Sequence, residues 1–259
     1  MRRGGPYAFI VAALILLNFA QASQPGNDAV AYELSLRSPS GAVLPRLRLP
    51  DRQAVAVKVN QELEALASGL RCPESTKHIG PRVYRSRASV TYAANDVLSV
   101  SIHVAYDCGG AYPTGDVNLS VTYDLRTGER VPFKMLFANY GRDEARIVRA
   151  LLPALKAAGM AVSGQCAEVL TAENLSSYSF AYSLSRTGLT AQPNFPHAIE
   201  ACSREVTVLF GHLEALARTN GVLARVANAG RISETASDLT VDPSRLSCGD
   251  SSGHHQHVY

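Results

Sequence analysis

The chain has 259 residues, of which 46% are hydrophobic, and it carries a net charge of +3 at neutral pH. This length suits one domain or two small ones, and the apolar fraction is enough to bury a sizeable core. A surface so close to neutral gives no electrostatic reason to expect nucleic acid or an anionic membrane as a partner.

The N-terminus has the three parts of a secretory signal peptide. Arg2 and Arg3 give a positive start, Ala8–Phe19 is mostly apolar, and Ala20-Gln21-Ala22 supplies the small residues of a cleavage site. The apolar run is shorter than the roughly 20 residues that a helix needs to cross a bilayer, and no later segment is long and apolar enough to span one. We expect cleavage near Ala22 and a periplasmic or secreted mature chain. Its net charge would fall from +3 to +1 because Arg2 and Arg3 are removed.

The first predicted elements after the signal peptide are a strand and a helix. Alternation of apolar and polar residues predicts a strand over Ala29–Arg37, after which Pro39, Gly41 and Pro45 break the chain. A helix then follows Asp51, which can cap it. Its apolar stripe keeps helical spacing and consists of Val55, Val59, Leu63, Leu66 and Leu70, before Pro73 ends the helix.

Two long strands come next. Val83–Tyr92 and Val97–Tyr106 flank a short polar turn, residues 93–96, and this pattern predicts a β-hairpin. Alternation in the second strand assigns one set of side chains to the core, namely Leu98, Val100, Ile102, Val104 and Tyr106. The other set is assigned to a solvent-exposed face, and consists of Ser99, Ser101, His103, Ala105 and Asp107.

The rest of the chain predicts a third long strand, a helix and several short elements. The strand covers Val117–Leu125, and residues 126–129 turn it back into an antiparallel return over Arg130–Phe133. An amphipathic helix follows at Arg142–Ala158, with Pro153 as a kink or boundary. The short elements are a helix or turn at Cys166–Thr171, strands at Tyr178–Leu184, Gly188–Ala191 and Glu205–Leu209, and helices at Leu213–Ala217 and Val222–Ala227.

Strands grouped around segregated helices predict an α+β fold, with an antiparallel sheet and helices packed on it in a single compact unit. From Ala229 onward the chain is rich in Ser, Asp and Gly, which predicts a polar, disordered tail. The predicted organisation is therefore a signal peptide at residues 1–22, a domain at 23–228 and a tail at 229–259.

All five cysteines lie after the predicted signal peptide, where an oxidising compartment favours disulfides over metal binding. No C-x-x-C pair occurs. Cys248 lies in the polar tail and is predicted to be the unpaired cysteine. The other four allow three pairings, of which Cys72–Cys108 with Cys166–Cys202 is preferred because each pair brackets one compact stretch.

No nucleophile elbow, H-E-x-x-H, phosphate-binding loop or dinucleotide motif occurs, so no cofactor is expected and an enzyme is not indicated. Ser101, His103 and Asp107 share a strand face, but along a strand they form a row rather than a cluster around one reacting atom. Asp107, Asp116 and Asp124 could approach one another around a glycine-rich loop, as glycosidase or calcium carboxylates would. A solvated polar surface is the favoured interpretation of both sets.

Three histidines near the C-terminus, His254, His255 and His257, have the spacing of a metal-binding cluster. Nothing nearby would fix their geometry or supply supporting hydrogen bonds. We therefore predict adventitious binding by a flexible tail, and no metal site.

The loop from Cys108 to Gly115 is the most informative segment. Its glycines permit unusual backbone angles, while Pro113 and a disulfide at Cys108 would limit its motion. An aromatic residue at its tip, Tyr112, is of the kind that interfaces favour. The pattern predicts a binding element at Gly109, Gly110, Ala111, Tyr112, Pro113 and Thr114. A structural corner whose tyrosine packs inward is the open alternative.

Three segments together resemble a known family: Asp107–Pro113, Val121–Glu129 and Met135–Phe137. They are similar to the secreted "domain of unknown function 3298". That family has a Gly-Gly-Ala-His-Pro loop, a strand ending in Tyr-Asp-Leu-x-Thr-Gly and a Leu-Phe before a helix. The resemblance covers roughly residues 30–227. Tyr112 stands where the family usually has His, so a role that needs an imidazole there is not implied.

The resemblance implies an α+β, non-enzymatic module that binds or senses a component of the cell envelope. Family members include the lysozyme-binding outer domain of an anti-sigma factor and the non-catalytic N-terminal part of a peptidoglycan deacetylase. The implied partner is a lysozyme-like hydrolase or peptidoglycan. Two alternatives are open: a cell-wall hydrolase that uses carboxylates with Tyr112 or His103, and an inhibitor or immunity protein that blocks a lysozyme or toxin by inserting the glycine loop.

Overall fold

The computed structural model of the protein describes residues 29–72, 83–108 and 114–229. The predicted signal peptide, most of the glycine loop, Pro73 and the tail with Cys248 and its three histidines lie outside the described residues. No helix in the described part of the chain is long and apolar enough to cross a membrane.

The chain begins with an antiparallel pair of strands, β1 (Tyr32–Arg37) and β2 (Val43–Leu47). The turn between them needs Gly41, whose φ of 103° is one that side-chain-bearing residues rarely adopt. The sequence predicted a break where β2 lies, because Pro45 is disfavoured in strands. A two-stranded sheet tolerates proline because every strand in it is an edge.

A 3₁₀ turn at Pro50–Arg52 leads into α1 (Gln53–Gly69). The predicted cap at Asp51 is wrong, because Arg52 occupies the N-cap position and no side chain caps the helix there. Asn60 instead connects α1 to the first sheet. Its Oδ1 accepts from Leu47 N at 2.7 Å and its Nδ2 donates to Leu47 O at 3.1 Å.

Four strands form the largest sheet, which is antiparallel throughout and has the order β3-β4-β5-β6. These strands are β3 (Val83–Ala94), β4 (Val97–Asp107), β5 (Thr114–Asp124) and β6 (Glu129–Arg130). The predicted hairpin is confirmed, and Asn95 and Asp96 at its tip both have positive φ, as the favoured two-residue turn requires. The predicted core face of β4 is also confirmed, since Leu98, Val100, Ile102 and Val104 are fully buried.

Helices and a second sheet make up the C-terminal part. After a 3₁₀ turn at Phe133–Leu136, α2 (Tyr140–Met160) continues through Pro153 without a boundary. Two short helices follow, α3 (Cys166–Val169) and α4 (Ala172–Ser176). The second sheet has the order β7-β8-β9, with β7 at Phe180–Leu184, β8 at Gly188–Pro193 and β9 at Val206–Leu209. Residues 222–229 form α5, the last helix in the described part of the chain.

The short C-terminal predictions are mostly confirmed, with small changes. The predicted helix at Leu213–Ala217 is a 3₁₀ turn at Glu214–Leu216, and α4 and a 3₁₀ turn at His197–Cys202 were not predicted. Antiparallel sheets with helices gathered beside them confirm the α+β fold class.

Both preferred disulfides are present. Cys72–Cys108 joins the end of α1 to the end of β4, and Cys166–Cys202 joins α3 to the chain before β9. Each pair is separated by 36 residues in the sequence. The other two pairings of these four cysteines are therefore excluded.

The predicted solvent-exposed face of β4 is wrong at one end, because β7 crosses it there. Ser99 is fully buried beside Thr122, with 2.9 Å between their hydroxyl oxygens. Ser99 Oγ accepts a hydrogen bond from Leu184 N at 3.0 Å, and Ser120 Oγ accepts one from Tyr182 N at 2.7 Å. These three hydroxyls, of Ser99, Ser120 and Thr122, are called the hydroxyl seam below. Their short side chains leave room for β7, and those of Ser99 and Ser120 accept hydrogen bonds from its outer N–H groups.

Replacement of Ser99 by alanine should lower the free energy of unfolding by about 1–3 kcal/mol, because it leaves the N–H of Leu184 buried without an acceptor. Urea denaturation followed by circular dichroism measures the change. Ser101, two residues along the same face and only half-buried, is the matched control. Its replacement by alanine should change the free energy by at most about 0.5 kcal/mol. Equal losses for the two variants would contradict the assigned role of the hydroxyl seam.

Candidate functional site

The outer edge of β5 is open over most of its described length. β6 pairs only with Tyr123 and Asp124, and Val131 N then donates to Thr122 O at 2.8 Å. Beyond that bond the chain leaves the sheet at the 3₁₀ turn Phe133–Leu136. Backbone groups alternate in direction along a strand, so those of Asn118 and Ser120 point to the same edge as those of Thr122. Within residues 29–72, 83–108 and 114–229, no strand pairs with them.

A groove of about 750 Å³ borders this open edge. This volume lies within the range of about 300–1,000 Å³ that is common for ligand sites. α1 contributes Leu66, and the edge itself contributes Asn118, Leu119, Ser120 and Val121. The opposite wall comes from the chain after β6 and from the second sheet, through Arg130, Val131, Pro132, Phe133, Lys134, Tyr140, Ser179, Phe180, Ala181, Tyr182 and Asn194.

Packed aromatic rings form the opposite wall of this groove. The ring of Phe133 stacks on Phe180 at 5.1 Å between centroids and also contacts Tyr182 at 5.7 Å and Tyr140 at 6.1 Å. The hydroxyl of Tyr182 donates to Val131 O, which fixes that ring against the chain leaving β6. Phe133, Phe180 and Tyr182 are only 7–8% exposed, so these rings hold the wall rigid and present a small apolar surface to the groove.

Both tyrosines of this wall stay neutral at physiological pH. Burial raises the pKa of Tyr182 well above its usual range. Burial and the nearby negative charge of Glu144 raise the pKa of Tyr140 to about 12. The wall therefore presents neutral hydroxyl groups and apolar rings, and no phenolate charge.

The charged side chains of the described lining are basic, while Glu144 and Glu205 lie beside the groove, next to Tyr140 and Asn118. Arg130 and Lys134 are both exposed, and the described lining contains no acidic side chain. Asn118 turns its amide away from the groove edge, since its Nδ2 donates to Gln192 Oε1 at 2.8 Å and to Glu205 Oε2 at 3.2 Å. The groove thus favours a ligand that carries a negative charge beside an apolar part.

Of the predicted binding loop, only Thr114 lies within the described residues. Thr114 is exposed and opens β5, opposite Asp107 on β4. Residues 109–113 lie outside the described part of the chain, so the binding loop stays a prediction. Four residues at about 3.3 Å each place Thr114 roughly 13 Å along the strand from Asn118 in the groove.

Of the residues considered for catalysis, the described ones His103, Asp107, Asp116 and Asp124 do not line this groove. His103 Nε2 lies 2.6 Å from Asp116 Oδ1, and both side chains are largely exposed on neighbouring strands. Asp107 pairs opposite Thr114, whereas Asp124 lies ten residues along β5, roughly 33 Å away, and forms an ion pair with Arg225. The idea that Asp124 joins the other two carboxylates is therefore wrong. The described residues also contain no group of three potential metal ligands.

Sequence reasoning missed the groove residues Arg130, Lys134, Phe133, Phe180 and Tyr182. The predicted return strand Arg130–Phe133 was too long, and this hid the open edge of β5. Pro132 was an available signal, because proline commonly stands where a strand stops pairing.

No family model and no curated protein matches the chain. Solved structures do match, among them two from one family. A DUF3298 family protein from Pseudomonas aeruginosa is 14% identical, with a TM-score of 0.42 over 75% of this chain and 94% of that one. A member of the same family from Bacteroides fragilis is 13% identical, with a TM-score of 0.41 over 78% of this chain and 97% of that one. Both bear the name of the family that the sequence motifs resemble.

Proposed function

We propose that this chain is a secreted, non-enzymatic binding module of the bacterial cell envelope, and that the groove beside β5 holds its ligand. The observation that supports this most is the groove itself. It combines a rigid aromatic wall, two basic side chains and an open strand edge in a volume of about 750 Å³. Such a combination suits recognition of a ligand that has both apolar and acidic groups.

The compartment is proposed from the cysteines and the N-terminal sequence. Cys72–Cys108 and Cys166–Cys202 are disulfides, which persist in the periplasm and outside the cell. The signal peptide predicted at residues 1–22 would deliver the chain there.

The proposed ligand is an envelope protein such as a lysozyme-like hydrolase, or peptidoglycan, as the family resemblance implies. A hydrolytic role gains no support from the groove, whose described lining carries no Asp or Glu. An inhibitor that blocks a lysozyme or toxin would use the same kind of contact and differs from a sensor only in its consequence.

Two purified probes test this proposal: insoluble peptidoglycan sacculi in a sedimentation assay, and a chicken-type lysozyme immobilised for interferometry. The oxidised mature chain should be retained by at least one of them. Lys134→Glu should weaken that retention severalfold, because it reverses a charge in the groove. Lys58→Glu reverses another exposed charge, on α1 and outside the groove, and should leave retention unchanged. Retention by neither probe, or release of soluble peptidoglycan fragments, would overturn the proposal.

A further inference from the structure

We propose that the groove takes its ligand as an extended polypeptide segment, which adds as a strand to the outer edge of β5 and places an acidic side chain near Arg130 and Lys134. This inference deepens the proposed function and rests on it, since it selects a protein ligand over a glycan. Strand addition supplies affinity through main-chain hydrogen bonds and specificity through alternate side chains.

The backbone of β5 supplies the first argument. β4 and β5 pair in continuous register from Val97↔Asp124 to Asp107↔Thr114, so the direction of each backbone group follows from strand alternation. Thr122 O accepts from Val131 N, which fixes the even-numbered residues of β5 as the ones that face outward. Asn118 and Ser120 therefore present N–H and C=O groups at the spacing of a strand, which only another extended backbone can pair in series.

The chain after β6 supplies the second argument, because it opens the position that a ligand strand would take. A continued β6 would place Phe133 beside Ser120, but Phe133 begins a 3₁₀ turn in which Met135 N donates to Pro132 O at 2.8 Å. The guanidinium of Arg130 donates to Ser120 O at 3.3 Å in place of the missing backbone group. A ligand N–H at Ser120 O would replace this bond and free Arg130 to pair with a ligand carboxylate.

The two walls of the groove supply the third argument. Side chains of an added strand alternate between the two faces of the sheet. One set would meet Leu66, Leu119 and Val121, and Leu119 is 37% exposed in the free protein. The other set would meet the aromatic wall around Phe133 and Phe180. The matching segment has apolar residues on one side and an Asp or Glu within reach of the two basic residues.

A selection from a random decapeptide library, displayed on its messenger RNA, tests this on the full oxidised chain. The enriched peptides should have apolar residues at alternate positions, as in an extended strand, and at least one acidic residue. Fluorescence anisotropy then gives the affinity of a selected peptide for the unaltered protein and for two variants of Asn118. Asn118→Pro removes an outward N–H without removing a bond to β4 and should weaken binding at least tenfold. Asn118→Ala keeps that N–H and should change binding by no more than about threefold.

A second measurement does not depend on how Asn118→Pro folds. Methylation of alternate backbone nitrogens in the selected peptide removes its ladder donors and should weaken binding to the unaltered protein at least tenfold. Failure to enrich any peptide would overturn the inference. So would unchanged binding of the peptide both when its odd-numbered and when its even-numbered backbone nitrogens are methylated. Self-association that Asn118→Pro abolishes in sedimentation velocity would also overturn it, in favour of a second copy as the occupant.

The two proposals fail separately. Sacculi or lysozyme retained by the protein, with no peptide bound at the edge, would refute strand addition and leave the binding function intact. Retention of neither probe would refute the binding function on which strand addition rests.

Discussion

Replacement of Cys166 and Cys202 by alanine should lower the free energy of unfolding by about 4 kcal/mol. The disulfide joins residues 36 apart, and loop-closure entropy for a loop of this size corresponds to about 4 kcal/mol at 25 °C. Both cysteines are buried against the C-terminal core, so the lost sulfur atoms also leave unfilled space there. Urea unfolding followed by far-ultraviolet circular dichroism measures the loss.

The other disulfide is a matched control, because Cys72 and Cys108 are also 36 residues apart. Loop-closure entropy therefore predicts the same loss for both pairs. Cys72 is only half-buried, so its pair should leave less unfilled space and the double alanine variant should lose less overall. A loss below about 1 kcal/mol for Cys166→Ala/Cys202→Ala would show that this disulfide does not hold the C-terminal half together.

Phe133→Ala should lower the free energy of unfolding by about 3–5 kcal/mol, the usual range for a buried phenylalanine. Phe133 is 8% exposed and its ring contacts four others, those of Phe137, Tyr140, Phe180 and Tyr182. Its loss removes the centre of the aromatic wall, so ligand binding in the groove should weaken together with stability. Phe133→Leu keeps most of the apolar volume and should lose clearly less.

Met135 lies in the same 3₁₀ turn and is 43% exposed, which makes it the control for local effects on that turn. Met135→Ala should change the free energy of unfolding by no more than about 0.5 kcal/mol. Thermal and urea unfolding of Phe133→Ala, Phe133→Leu, Met135→Ala and the unaltered protein measures these changes in the free energy of unfolding. A Phe133→Ala loss as small as that of Met135→Ala would mean that the aromatic cluster closes around the gap.

The sequence predicted those parts of the fold that depend on residues close together in the chain. The hairpin at residues 93–96 was predicted because turn residues and alternating strands lie next to each other in the sequence. The buried face of β4, which contains Ile102, was predicted because apolar residues at every second position of a strand all point to the same side of the sheet. β2 was missed because proline is tolerated only in an edge strand. Whether the strand that contains Pro45 is an edge depends on its neighbours in space, which no local sequence pattern shows.

Long-range contacts account for what the sequence did not predict. Ser99 is buried by Leu184, a residue 85 positions away, and Ser120 contacts Tyr182 across 62 positions. A serine in an alternating strand is typical of a solvent-exposed face, so its burial follows only from the path of β7. The groove has the same origin, because Leu66, Leu119 and Phe180 come from α1, β5 and β7 and no sequence spacing connects them.

The buried apolar side chains of the described residues form two clusters. One cluster combines the first sheet, α1 and the inner face of the four-stranded sheet, and the other combines α2 and the second sheet with Tyr92 and Val97. Ser99 and Ser120 of the hydroxyl seam add hydrogen bonds to Leu184 N and Tyr182 N across the boundary, while most of the burial energy of each cluster stays within it. The amide hydrogens of the two clusters should then exchange with solvent at two distinct rates, as two cooperative units of one chain.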